Sequence, residues 1–189
     1  MTLADDTHLR ADAQQNRDKI LAAAEEIFLD RGAMVSMNEV ARHAGVGIGT
    51  LYRRFPTRED LLAEAYSARF VAFAEEMQAR ARQADAVSVL RSYLEQLVRH
   101  TIVYRGFAAT LGIVLKTGTR GCIATTNVGQ QLLQSAQDSG CVRADVTFDD
   151  LVCVAMAISL SVEQNENAHS RITHLVCVFT NGIVVGSPV

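Results

Sequence analysis

Apolar residues recur along this chain at helical rather than alternating spacing. Ile20, Leu21, Ala24, Ile27 and Phe28 fall at i, i+1, i+4, i+7 and i+8, one stripe of a helix that starts near Asn16. Gly32 follows where a glycine closes a helix. Ser36-Met37-Asn38-Glu39 has the order of a capping box, in which a hydroxyl accepts from the amide three residues on while the Glu39 carboxylate reaches back. A short helix through Val40 and Ala41 then runs to Gly45. Only Val46 and Gly47 separate it from a further helical stretch that carries Leu51 and Phe55 and stops at Pro56. Thr57-Arg58-Glu59-Asp60 forms a second box and opens a long helix with Leu61, Leu62, Ala65, Tyr66, Phe73 and Met77 on its apolar face. Glu59 and Asp60 at its start and Arg80 and Arg82 at its end suit the helix dipole.

The rest is helical too. Val87, Leu90, Leu94, Leu97, Val98 and Ile102 mark a helix over 87–105, and Phe107 to Lys116 a shorter one. A Gly-rich connection, Thr117 to Gly121, leads to a helix over about Cys122–Asp138, closed by Gly140. Thr147-Phe148-Asp149-Asp150 is a third box, and the helix it opens carries no charge between Leu151 and Val162. A polar turn, Glu163 to Asn167, precedes a last helix from His169 to about Asn181. The pattern predicts an all-α fold of about nine helices and no sheet. Residues 1–15 are polar and unpatterned, and we expect a flexible arm there, a first domain over 16–66 and a larger one over 67–189.

Charge adds one feature. With 18 Lys+Arg against 21 Asp+Glu the net charge is −3, which excludes a uniformly basic polyanion-binding protein. Yet between Val40 and Arg58 stand Arg42, Arg53, Arg54 and Arg58 with no acid among them, a local basic island. At 49% hydrophobic the chain can bury a core, and no apolar run reaches the roughly 18 residues of a membrane span. The N-terminus, with Asp5, Asp6 and Asp12, does not read as a signal peptide, and a cytoplasmic location is expected. Cys122, Cys141, Cys153 and Cys177 lack metal-ligand spacing and read as reduced thiols. Cys153 and Cys177, among Val, Ala and Leu, are expected to be buried and inert; Cys122, after Arg120 near a helix start, is the nearest to a sensor position, but redox sensing is not the expected reading. No Ser/His/Asp set, paired carboxylates, phosphate-cradling loop or metal spacing is present, so neither catalysis nor a cofactor is expected.

Two short helices joined by a tight glycine-containing turn read as a helix-turn-helix, whose second helix must stand proud enough to enter a major groove about 12 Å wide. Leu51 and Phe55, one turn apart, would anchor that helix, leaving Thr50, Tyr52 and Arg53 directed elsewhere. The run from Ala44-Gly45-Val46-Gly47-Ile48-Gly49-Thr50-Leu51-Tyr52-Arg53-Arg54-Phe55 through Pro56-Thr57-Arg58-Glu59-Asp60-Leu61-Leu62 resembles the TetR family of bacterial transcriptional regulators. The resemblance covers about residues 16–66. It implies three DNA-binding helices, a linking fourth helix and a helical domain for ligand binding and dimerisation. It also assigns Ser36, Met37, Val46, Gly47, Ile48, Gly49, Thr50, Tyr52, Arg53 and Arg58 to the contact with double-stranded DNA, Arg58 standing where the family usually has a phosphate-gripping lysine. Gly47 and Gly49 leave few side chains for direct base readout. Arg10 and Arg17 are either a minor-groove arm or part of a solvated tail.

Gln96, His100 and Tyr104 recur one turn apart, and with Phe107 and Met156 they are candidates for a small-molecule pocket; a satisfied internal network is the competing reading. The charge-free stretches Leu151–Val162 and Thr173–Val185 are too apolar for helices with a solvated face, as in a homodimer interface through Val154, Ile158, Ser161, Leu175 and Phe179. Small residues there, Ala155, Ala157 and Ser159, allow close packing. These readings imply a repressor that a small molecule releases from a palindromic operator. The alternative is a small-molecule binding protein whose helix-turn-helix no longer binds DNA specifically.

Overall fold

The computed structural model describes residues 3–163, 165 and 167–185, with side-chain environments from Gln14 onward. Among these residues nine α-helices run in order: α1 (Leu3–Arg31), α2 (Met37–His43), α3 (Ile48–Arg54), α4 (Arg58–Ala81), α5 (Ala86–Thr101), α6 (Leu111–Val114), α7 (Arg120–Asp138), α8 (Phe148–Val162) and α9 (Ala168–Ile183). A 3₁₀ turn, Ala108–Thr110, leads into α6. The described residues contain no strand, only an isolated antiparallel bridge between Val142 and Val184 that ties the α7–α8 connection to the end of α9.

All three capping boxes form, at Ser36/Glu39, Thr57/Asp60 and Thr147/Asp150. Each hydroxyl takes up an amide that the helix start would leave unpaired, a contribution of about 1 kcal/mol apiece. Gly32 ends α1 with φ of 90°, and a Cβ there would collide with the Arg105 carbonyl oxygen, so glycine is required twice over. Two boundaries differ from the sequence reading. α1 begins at Leu3 rather than after an arm: residues 3–15 contain no Gly or Pro, and the loss of the apolar stripe upstream of Asn16 ends a buried face without ending a helix. α5 stops at Thr101, because the chain turns through Gly106 at φ of 81° to carry Tyr104 and Phe107 back into the interior.

α4 runs through both halves of the molecule. Leu61, Leu62 and Ala65 pack with Ile20, Phe28, Val40, Leu51 and Phe55 in one continuous core that extends through Tyr66, Phe70, Phe73 and Met77 to Tyr93, Leu97 and Val128. α7 lies closely against α4, and the Gly121 amide donates to Ser67 Oγ at 3.0 Å. A Cβ on Gly121 would come within 3.0 Å of the Ser67 backbone and of Phe70. Gly49, on α3, is the opposite case, with nothing within 4 Å of the position a Cβ would take. Gly121→Ala should therefore destabilise the protein by about 1–3 kcal/mol, whereas Gly49→Ala should stabilise it by up to about 1 kcal/mol through helix propensity. Urea unfolding of the two variants measures both signs.

Candidate nucleic-acid interface and cavity

α2 is fixed at its start by the Ser36 box: the Glu39 amide donates to Ser36 Oγ at 3.3 Å, and the Ser36 amide donates to Glu39 at 3.2 Å. The Ser36 hydroxyl donates to the Glu39 carboxylate at 2.8 Å, and this bond, with the Ser36 amide and Arg31 nearby, holds that carboxyl below its ordinary range. His43 reaches Glu26 at 3.0 Å, fastening α2 to α1. Gly45, at φ of 66°, makes the turn, and the Val46 amide donates to the Ala41 carbonyl at 3.0 Å. α3 sits on this turn with Leu51 and Phe55 buried beneath it. Its outer side carries Ile48, Tyr52, Arg53 and Arg54, all exposed, while Thr50 is half-buried and accepts from Arg53 at 3.3 Å. Gly47 and Gly49 leave Ile48 as the exposed side chain of its first turn. Arg58 opens α4 half-buried beside this surface, and its buried Nε has no hydrogen-bond partner among the described residues.

A cavity of about 370 Å³ lies between α6, α7 and α8. Its wall is mostly apolar, from Gly112, Leu115, Phe148, Val152 and Met156, with Lys116, Thr126, Gln130, Asp149 and Cys153 as polar members. Thr126 Oγ1 is buried with no partner. Gly112 matters to its shape, since a Cβ there would come 3.5 Å from Met156 Sδ. A second, polar cleft of about 340 Å³ joins Thr117, Gly118 and Thr119 to Arg54, Phe55 and Pro56, with Arg17, Asp60 and Glu64 as its charged members. Arg17 pairs with Glu64 across α1 and α4.

Residues 20–65 match the family model described as bacterial regulatory proteins, tetR family. Residues 85–185, more than half of the chain, match the model of the transcriptional regulator SbtR-like C-terminal domain. The chain belongs to the TetR family. An HTH-type transcriptional regulator of Staphylococcus aureus is 43% identical over 54 residues, 28% of this chain and 29% of that one, so the likeness spans under a third of the relative's length. A TetR transcriptional regulator from Streptomyces coelicolor is 27% identical with a TM-score of 0.54, over 90% of this chain and 99% of that one. RolR, solved in complex with resorcinol, shares the fold at a TM-score of 0.68 and 19% identity, over 92% and 90% of the two chains. This chain is thus a TetR-family, DNA-binding transcriptional regulator, and none of its helices among the described residues is long and apolar enough to cross a membrane.

Within this TetR-family fold the residues singled out from the sequence scatter. Ser36, Val46, Gly47, Ile48, Gly49, Thr50, Tyr52, Arg53 and Arg58 share the helix-turn-helix surface, but Met37 is 7% exposed and packs into the core beneath it. Of the five candidate pocket residues only Met156 lines the cavity. Tyr104 and Phe107 are fully buried in an aromatic cluster with Phe28 and Tyr66, their ring centroids 5.0 and 5.1 Å from that of Tyr66. The Tyr104 hydroxyl has no partner there. His100 is half-buried against Phe73, its carbonyl accepting from the Tyr66 hydroxyl, and Gln96 is half-buried on the same helix. The missed lining includes Thr126 and Gln130, one turn apart on α7, a polar pair that could have pointed to it.

α8 and α9 turn an apolar surface outward, with Leu160 and Val178 52% and 57% exposed and Ala157 beside them. Val154, Leu175 and Phe179 reach it half-buried and Ser161 exposed, whereas Ile158, 7% exposed, belongs to the protomer core. Cys153 and the half-buried Cys177 depart from the sequence reading. Cys153 is exposed, because the outward side of α8 is apolar too and a charge-free neighbourhood does not mean an interior one. Cys122 is buried, and burial raises its thiol pKa, which opposes a sensor role. Arg17 is held in its ion pair with Glu64, and the side chain of Arg10 lies outside the described residues.

Burial lowers the His100 pKa from its ordinary value of 6.5, aided by Arg69 and opposed by Glu76. The unfolded chain then binds the proton first, so stability should fall as the pH drops through 6.5 toward the depressed folded value. His100→Gln should flatten Tm between pH 6.5 and 5. It should leave the loss below about pH 4, where capping carboxylates titrate, unchanged. A pH series of thermal melts measures both arms.

Proposed function

We propose that this protein is a repressor that binds a palindromic operator as a homodimer in the cytoplasm and is released from it by a small molecule held in the α6–α7–α8 cavity. The observation that carries the DNA reading is the outer side of α3. An otherwise acidic chain concentrates Tyr52, Arg53 and Arg54 on one exposed short helix, with Arg58 next to it. Arginines there neutralise phosphates and fix register. Ser36, Val46 and Gly47 bring α2 and the turn to the backbone, and Ile48, Gly49, Thr50 and Tyr52 face the groove.

The outward apolar surface of α8 and α9 suits a dimer built through Val154, Ala157, Leu160, Ser161, Leu175, Val178 and Phe179. Two-fold symmetry then sets the two copies of α3 about one DNA turn, or a multiple of it, apart. The effector is small and mostly apolar, as the size and wall of the cavity suggest, with Thr126, Gln130 and Lys116 to orient it. Resorcinol in RolR, which shares this fold, is a molecule of that size class.

Release is a matter of which conformation the effector favours. The segment that supplies Gly112, Leu115 and Lys116 to the cavity continues into Thr117–Thr119, which borders Phe55 and Pro56 at the end of α3. A ligand that shifts this segment moves the seat of α3, and a coupling of about 1–3 kcal/mol lowers operator affinity by roughly 5- to 150-fold. The reciprocal holds, with operator DNA weakening effector binding by the same factor.

Arg53→Ala and Arg58→Ala should each weaken operator binding roughly tenfold and reduce the slope of log affinity against log salt by about one. Titration of labelled operator at several salt concentrations, with circular dichroism to check the fold, measures this. Full affinity retained in both variants would contradict the proposal.

A further inference from the structure

We propose that Ile48 reads thymine, packing its side chain against the 5-methyl group in the major groove, and that this apolar contact supplies base selectivity at the start of α3. The inference rests on the operator-binding reading above. In a helix-turn-helix the first residues of the second helix approach the base edges. Here they are Gly47, Ile48, Gly49 and Thr50, and two of the four have no side chain. Thr50 is half-buried, with its hydroxyl engaged by Arg53. The exposed side chain left in that turn is Ile48, 37% exposed at the first position of α3, while Leu51 and Phe55, three and seven residues on, are buried.

Gly49 completes the argument. A glycine inside a helix is unfavourable relative to alanine, and, its chain neighbours and its own helix backbone aside, no atom among the described residues lies within 4 Å of where its Cβ would sit. Nothing inside the fold therefore requires glycine at this position. A bare backbone beside Ile48 does allow the helix to lie closer to the groove floor. The thymine methyl is the one apolar group that the four bases present there, and an isoleucine can neither donate nor accept a hydrogen bond.

Replacing single thymines of the operator by deoxyuridine removes the methyl and leaves every hydrogen-bonding group in place. The operator is obtained by selecting genomic fragments with the full-length protein. One thymine in each half-site should then show about fourfold weaker binding when replaced, the worth of one buried methyl, and about fifteenfold when both half-sites are changed. Ile48→Ala, which touches neither core anchor, should bind the unmodified operator more weakly and lose its discrimination at that thymine alone. Ile48→Val should keep most of it.

Uridine tolerated at every position, or discrimination undiminished in Ile48→Ala, would overturn this inference while leaving the regulator reading intact. Failure to recover any fragment would overturn both. A melting curve of each variant separates lost contact from lost fold.

Discussion

The burial of one long helix along most of its length is the constraint on which the molecule depends. α4 lends its first turns to the small three-helix unit and the remainder to the larger domain, and its apolar residues from Leu61 to Met77 belong to a single core. The arrangement is held by contacts that no surface substitution replaces. Gly121 brings α7 against the α4 backbone, the Arg17–Glu64 pair fastens α1 to α4, and the Tyr66 hydroxyl donates to the carbonyl of His100 on α5. With the core shared in this way, the helix-turn-helix cannot reorient without disturbing what packs around α4.

Two further connections run from the larger domain to the same small unit. One is the segment Gly112–Thr119, cavity wall at its start and neighbour of Phe55 and Pro56 at its end. The other is the turn after α5. Glu163, at the end of α8, accepts from the Gly106 amide, and the adjacent Arg105 carbonyl accepts from the Ala33 amide at 2.8 Å, just after α1. α8 lines the cavity through Val152, Cys153 and Met156, so a shift of α8 reaches the α1–α2 corner through two hydrogen bonds. In the proposed mechanism these connections give a small effector leverage over α3.

Local chemistry made much of this legible before any coordinates. The capping boxes at Ser36, Thr57 and Thr147 and the glycines at 32, 45 and 140 lie within a few residues of the features they define, so spacing alone locates them. The same holds for the exposed arginines, since no acid stands between Val40 and Arg58. Cavities and interfaces are different. Tyr104 and His100 have the residue types of a binding site, yet packing against Tyr66 and Phe73 of α4 sets them beside an aromatic core, while the cavity is walled by residues from three helices distant in sequence. Cys153 and Ile158 show the same limit on a charge-free helix. Which of its sides faces the core depends on neighbours distant in sequence.

The account stands most directly on recovery of genomic DNA fragments by the purified protein at two salt concentrations. It predicts enrichment of one palindromic sequence, with half-sites about one helical turn or a multiple of it apart, that is lost as salt rises. A folded dimer that enriches no sequence at either salt concentration would contradict it.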